Sequence, residues 1–316
     1  MERKYKTESD PTSGLLRIIA LKDFADVKKG DKGGLISQES NLSQEGDCWI
    51  YENAKVIGEA MVFENAKVCG KAFIFGCAFI AGKALIDGNA KVCGKAQVFD
   101  NALVCDNAWV RGNAQISRSA WVYGNAVVDG DVRVYDNARV FGEAEVNDSV
   151  QVYHAAKIYG KARVSGNAFV FGAARVFGDA EVYGDAQVCE YAMIFGNAKV
   201  YGEAWVFGYT QVYDNAKIFG IAQVYGDSRV YGDAQAYGRT HICRTAEILG
   251  NVKLHHTNVA HYITTPIKDN KDYITLVIDR AFYVFTGSDP KVTISSVEEN
   301  YIQNIKIIRQ LYGEEI

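Results

Sequence analysis

Five histidines, His154, His241, His255, His256 and His261, are the side chains of this 316-residue chain best suited to proton transfer or metal binding near neutral pH. An outward-facing His241 could act as a general base on a substrate brought to it by a second subunit. His256 and His261, with four residues between them, could supply two ligands of a zinc site, which needs a third from His241 or another chain and an open fourth position. A structural reading competes at every one of these positions. His154 stands where a repeated corner otherwise holds Gly, His241 falls in a surface slot, and the cluster at 255–261 lies where a repeat pattern ends. We adopt the structural readings, and so expect no metal site and no required cofactor.

The 7 Cys form an odd set with no CxxC pair, which argues against a zinc knuckle or redox motif and reads as a reducing, cytoplasmic compartment. No GxSxG elbow, P-loop or dinucleotide fingerprint occurs. A net charge of −4 and a pI near 5.8 offer no basic face for nucleic acid. The start MERKYKTESDP has no apolar signal region, and no stretch is long and apolar enough to span a membrane.

What would hold these residues in place is an internal repeat. Written in sixes from Asn53, the chain reads NAKVIG, EAMVFE, NAKVCG, KAFIFG, and the register continues unbroken to Leu254. Of 34 hexads beginning at Ala54, 28 have Ala in the first slot and 33 have Val, Ile or Leu two places later, Ala236 being the exception. A 3.6-residue period cannot hold such a pattern on one face, whereas strand alternation points both slots inward and the residue between them outward. Gly closes 23 of the 34 hexads, supplying the positive φ of a sharp corner. The expectation is an all-β protein: a single parallel β-helix of about eleven triangular coils, three hexads to a coil, with core formed by stacking.

The segment GLLRIIALKDFADV is expected to give an edge strand or cap, and Cys48 and Ile50 already occupy the Ala and Val slots. Beyond Leu254, DYITLVID, AFYVFTG and KVTIS read as short strands. Ser296-Val297-Glu298-Glu299 offers a capping box before Tyr301, Ile305, Ile308 and Tyr312 at helical spacing. The division expected is an N-terminal cap and lead-in over 1–47, the β-helix over 48–256, and a small α+β cap over 257–316.

Outward residues 18 apart fall on one face of successive coils. One such line reads Tyr123, Phe141, Tyr159, Phe177, Phe195, Tyr213, Tyr231, with Arg139, Lys157 and Arg175 beside it in positions suited to cation–π contact. A second carries Tyr135, Tyr153, Phe171, Cys189, Phe207 and Tyr225, and a third Tyr183, Tyr201, Phe219 and Tyr237. Stacked rings stabilise a sheet by cross-strand pairing, and a long aromatic stripe also suits an oligomer face.

The V-x-G-x-A-x rhythm resembles the hexapeptide-repeat, left-handed β-helix superfamily over about two-thirds of the chain. ALKDFADVKKGDKGGLI followed by NLSQEGDCWIYENAKV is similar to the YdcK-like β-solenoid group. The resemblance implies left-handed coils, frequent trimers, and in many members acyl transfer from acetyl- or acyl-CoA with a catalytic His near a subunit junction. One branch is a zinc carbonic anhydrase that uses the H-x4-H spacing seen at His256 and His261. This chain departs from the enzymes in carrying Tyr, Phe or Cys after the aliphatic residue, and in having no inserted pocket loop. The function expected is therefore a non-catalytic solenoid that presents aromatic ladders for self-association, as a homo-oligomer or trimer, or for another protein, with neither nucleic acid nor membrane as partner. The alternative is an acyltransferase using acetyl- or acyl-CoA, with His241 or His256 as base.

Overall fold

A computed structural model describes residues 3–243, 246–251 and 253–256, together with the strands His261–Pro266, Tyr273–Ile278 and Phe282–Phe285. The chain divides into two compact units, Met1–Asp185 and Ala186–Ile316, called the first and second units below. Both are parallel β-solenoid, about 12 turns in all.

Each hexad yields a two-residue strand, such as Lys91–Val92, paired in parallel with the strand 18 residues on, so that Lys91 lies opposite Trp109 and Val92 opposite Val110. Three sheets form the walls. In the first unit they run from Lys55–Val56, from Trp49–Ile50 and from Met61–Val62, each gaining one strand per coil. In the second they begin at Lys199–Val200, Met193–Ile194 and Gln187–Val188. The in–out assignment holds, since Val56, Ile74, Val92, Val110, Val128 and Val146 are 0% exposed, as are Ala54, Ala72 and Ala90.

The Ala slot accepts hydroxyls where their protons find a partner. Thr210 and Thr240, both 0% exposed, each donate to the carbonyl three residues back, on Phe207 and Tyr237, at 2.7 Å, and Ser228 does the same to Tyr225. A buried hydroxyl is tolerated once hydrogen-bonded.

Corners close with an N–H from the Ala slot to the carbonyl three residues earlier, as from Ala72 to Cys69 at 3.1 Å. The second corner position has positive φ and is usually Gly. Where it is not, acids recur: Glu64, Asp106 and Asp148 adopt φ of 56°, 60° and 63°. Their carboxylates accept the N–H of the same corner one coil later, on Gly82, Gly124 and Gly166, at 2.8, 3.0 and 2.8 Å. The acid thus offsets its left-handed strain, about 1–2 kcal/mol, by satisfying an N–H that has no ladder partner. Asp148→Gly is therefore expected to change stability by under about 0.5 kcal/mol, whereas Asp148→Ala, which keeps the strain and loses the bond, should lose about 1 kcal/mol. Urea midpoints of the two variants check this.

Before the first coil, Tyr5–Ser9, Leu16–Ala20 and Lys32–Ile36 form an antiparallel set, and the third pairs in parallel with Lys55–Val56. Only glycine fits at Gly33 and Gly34, because a Cβ there would come within 2.6 Å of Ile18 Cγ1 and 2.4 Å of Ile50 Cγ2. Fully buried Asn41 fastens the crossing: Oδ1 accepts from Ser37 N and Gln38 N, and Nδ2 donates to Gly58 O and Ala60 O at 2.8 and 2.7 Å.

Beyond Lys253–His256 the described strands form an antiparallel set of their own. Tyr273–Ile278 and Phe282–Phe285 fall within DYITLVID and AFYVFTG; Tyr273–Ile278 is the central strand, antiparallel to His261–Pro266 on one side and to Phe282–Phe285 on the other. The KVTIS strand and the terminal helix lie outside the described residues. Among those described, no helix is long and apolar enough to cross a membrane.

Candidate functional site

The aromatic lines expected from the 18-residue spacing are stacked columns. In the first unit Tyr123, Phe141, Tyr159 and Phe177 stack with ring centroids 4.8, 4.8 and 4.9 Å apart and planes within 4° of parallel. In the second, Phe195, Tyr213 and Tyr231 stack at 4.9 and 4.8 Å. The other lines behave alike, Tyr135 on Tyr153 on Phe171 at 5.0 and 4.9 Å, and Tyr201 on Phe219 on Tyr237 at 4.9 and 4.8 Å. Parallel in-register strands fix the side chains one coil spacing apart, and neighbouring rings adopt the same rotamer to fill it. All seven rings of the long line are half-buried. Ring faces are spent on each other, so the surface presents ring edges, and edges carry the positive end of the quadrupole.

That geometry corrects the cation–π expectation. The Arg139 guanidinium lies 4.5 Å over the Trp121 ring, its neighbour in the same slot one coil earlier, rather than over a ladder ring. Between two stacked rings there is no room for a cation, whereas Tyr135, at the end of its column, has Arg118 over its ring at 5.7 Å. Arg139, Lys157 and Arg175 stand directly opposite one another on adjacent strands, an arrangement in which like charges repel. The second sheet of the first unit thus shows a rigid aromatic column with a cationic column alongside.

Two further contacts recur at fixed spacings in the sequence. Asn recurs 18 residues apart at the corners, where the side-chain amide of Asn89 donates to Asn107 Oδ1 and that of Asn107 to Asn125 Oδ1, at 3.0 Å each. Trp stands 16 residues after Cys, and the indoles of Trp109 and Trp205 donate to Cys93 and Cys189 Sγ at 3.4 and 3.3 Å. Such Cys are packing residues, as the interchange with Tyr and Phe suggests.

The histidines are not brought together by the described geometry. His154 is an exposed corner residue with φ 57°; its N–H donates to Asp136 at 3.1 Å and its ring meets Tyr153 edge-on at 4.9 Å. His241 opens a strand of the third sheet opposite Gln223, half-buried. The backbone of His256 ends the strand Lys253–His256, and that of His261 begins His261–Pro266. The proposed ligand side chains of His256 and His261 lie outside what is described. Among the described residues no three His, Cys, Asp or Glu converge as a metal-binding group.

Cys69 and Cys105 flank Asp87 in the slot that becomes aromatic from Tyr123 on. Burial, then neighbouring carboxylates (Asp87 for Cys69, Asp106 and Asp87 for Cys105), push both thiols up to about 11 from 9.0. Burial and then the hydrogen bond to Asp26 push Tyr51 up to about 12 from 10.0. All three release protons later in the folded state than in the unfolded one. The stability they contribute is complete below pH 9.0 and lost as pH rises through about 11 to about 12. Urea midpoints should fall over that window, and the fall should flatten in a Cys69→Ser, Cys105→Ser double variant.

A family model described as the YdcK β-solenoid repeat matches residues 96–112 and 222–238. Those two stretches are similar to the YdcK β-solenoid repeat. Over 56 residues the chain is 48% identical to an Escherichia coli (strain K12) protein named uncharacterized acetyltransferase YdcK, a match that spans 17% of this chain and 17% of that protein. Among solved structures, the UDP-N-acetylglucosamine O-acyltransferase LpxA of Moraxella catarrhalis aligns at 13% identity and TM-score 0.28, over 79% of this chain and 86% of that one. A Francisella novicida UDP-N-acetylglucosamine acyltransferase aligns at 15% identity and TM-score 0.19, over 63% of this chain and 64% of that one.

Proposed function

We propose that this YdcK-type solenoid is a non-catalytic scaffold that self-associates through the outer face of its second sheet, where Tyr123, Phe141, Tyr159, Phe177, Phe195, Tyr213 and Tyr231 stand. One observation carries the reading: the rings are already stacked within each unit, with planes 2–6° apart. Side chains held this way have little rotamer freedom left to lose on association, which is a main cost of forming an interface. A half-exposed, flat, rigid stripe of this kind suits a closed homo-oligomer.

Light scattering over a range of concentrations tests it. The native chain should show a concentration-dependent oligomer, and Phe141→Ser with Phe195→Ser should lower its association constant at least tenfold while the circular dichroism stays that of a β-solenoid. A native chain that is monomeric at every concentration overturns the proposal.

The name of the Escherichia coli relative, an acetyltransferase, favours a second reading, an acyltransferase using acetyl- or acyl-CoA with His241 or His256 as general base. A cofactor that binds the native state raises its melting temperature by mass action. A shift with acetyl-CoA that is lost in His241→Ala or His256→Ala would support catalysis and overturn the scaffold; no shift at millimolar acetyl-CoA would remove the enzyme.

A further inference from the structure

Lys4 and Cys48 form a buried pair that the aromatic ladders do not use. Lys4 is 1% exposed and Cys48 0%. The Lys4 ammonium donates to the carbonyls of Glu45, Gly46 and Cys48 at 3.2, 3.2 and 3.0 Å, and Nζ stands 3.2 Å from Cys48 Sγ. The sulfur is held in turn against the carbonyls of Ser43, Glu45 and Val62 at 3.6–3.7 Å. An N···S separation of 3.2 Å lies within the roughly 3–3.5 Å of a near-attack arrangement.

We propose that peroxide converts this pair into a covalent sulfur–nitrogen cross-link, making Lys4–Cys48 an oxidative modification site that fastens the first strand to the first coil. In the first step the Cys48 thiol attacks hydrogen peroxide; the O–O bond breaks, sulfur is oxidised by two electrons to the sulfenic acid, and one water leaves. In the second, the Nζ lone pair of neutral Lys4 attacks that sulfur. The S–O bond breaks, the hydroxyl leaves with an amine proton as a second water, and an S–N bond remains. The protein has lost two hydrogens, and the peroxide has become two waters.

The chemistry is that by which a sulfenic acid condenses with a nearby nitrogen. The usual nitrogen, the next backbone amide, is engaged here, because Trp49 N–H donates to Ala66 O at 3.1 Å. The Lys4 amine is the nucleophile left in range. Burial lowers its pKa, which enlarges the neutral, reactive fraction. Peroxide reaches the sulfur through local opening of Tyr5–Ser9, and re-docking brings the amine back. Cys93 and Cys189, which face indole N–H groups, have no comparable amine bonded to sulfur.

The test uses the full chain treated with hydrogen peroxide, alkylated, digested and mapped by mass spectrometry. Expected is a joined pair of peptides containing Lys4 and Cys48, lighter by two hydrogens than their sum, with tryptic cleavage after Lys4 lost and dithiothreitol restoring it. In Lys4→Arg, which keeps the donors but not the nucleophile, dimedone should instead trap a sulfenic acid at Cys48. The proposal is overturned if Cys48 stays unmodified at peroxide levels that oxidise exposed Cys77, if it goes only to sulfinic acid, if the link retains an oxygen, or if the same link forms in Lys4→Arg.

Discussion

Truncating Lys4 to Ala is expected to destabilise the N-terminal end of the first unit by about 2–3 kcal/mol, the cost of leaving a buried acceptor without its donor and of losing the packed side chain. The buried Cys48 carbonyl loses its donor, and the part-buried carbonyls of Glu45 and Gly46 lose the same ammonium; a buried group left unsatisfied costs about 1–3 kcal/mol. The loss should be local. Tyr5, whose hydroxyl donates to Glu39 O and Leu42 O at 3.0 and 2.7 Å, sits beside Lys4, so its strand and the crossing at Asn41 should open together. Hydrogen exchange gives the readout: amides of residues 5–9, 42 and 49 should lose protection in Lys4→Ala, while those of coils near residue 158 keep it, as repeat stability is a sum of neighbour terms. Equal loss across the first unit would contradict that locality.

Ile158→Ala should cost the first unit about 3 kcal/mol, within the range of about 2–5 for such truncations. Its side chain is 0% exposed, in a column with Val140 and Val176 directly opposite on the adjoining strands. The surroundings cannot close around the lost volume, because the ladder pins the backbone on both sides, Phe141 N–H to Ile158 O at 2.9 Å and Tyr159 N–H to Val176 O at 3.0 Å. Lys157→Ala, one residue away but pointing outward, should change stability by under about 0.5 kcal/mol or raise it slightly, by relieving the repulsion from Arg139 and Arg175. Urea unfolding of the two variants gives the comparison. A cost for Ile158→Ala no larger than for Lys157→Ala would mean that the column is not close-packed.

The repeat was legible because its causes are short-range. Whether a side chain points in or out depends on strand alternation, and where the chain turns depends on which residues accept positive φ. Six residues therefore contain the whole argument, repeated until chance is excluded. The aromatic columns follow from the same periodicity once the coil length of three hexads is assumed. The acids at the corners looked like irregular replacements of Gly. Their reason appears only when the N–H of the next coil, 18 residues away, is seen to need an acceptor. Thr210, Ser228 and Thr240 in the Ala slot are similar, since a hydroxyl there is acceptable only because a corner carbonyl faces it.

The sequence by itself determined the class of fold, the strand and corner positions, the inward columns and the outward slots, all of them consequences of local geometry multiplied by a strict period. Tertiary structure decided everything that depends on where a long side chain goes after it leaves the backbone. Arg139 stacks on Trp121 and not on the ladder, because the ladder rings had already taken one another's faces. Lys4 finds Cys48 across 44 residues with no period to link them, because three carbonyls, on Glu45, Gly46 and Cys48, converge on its ammonium at the start of the first coil.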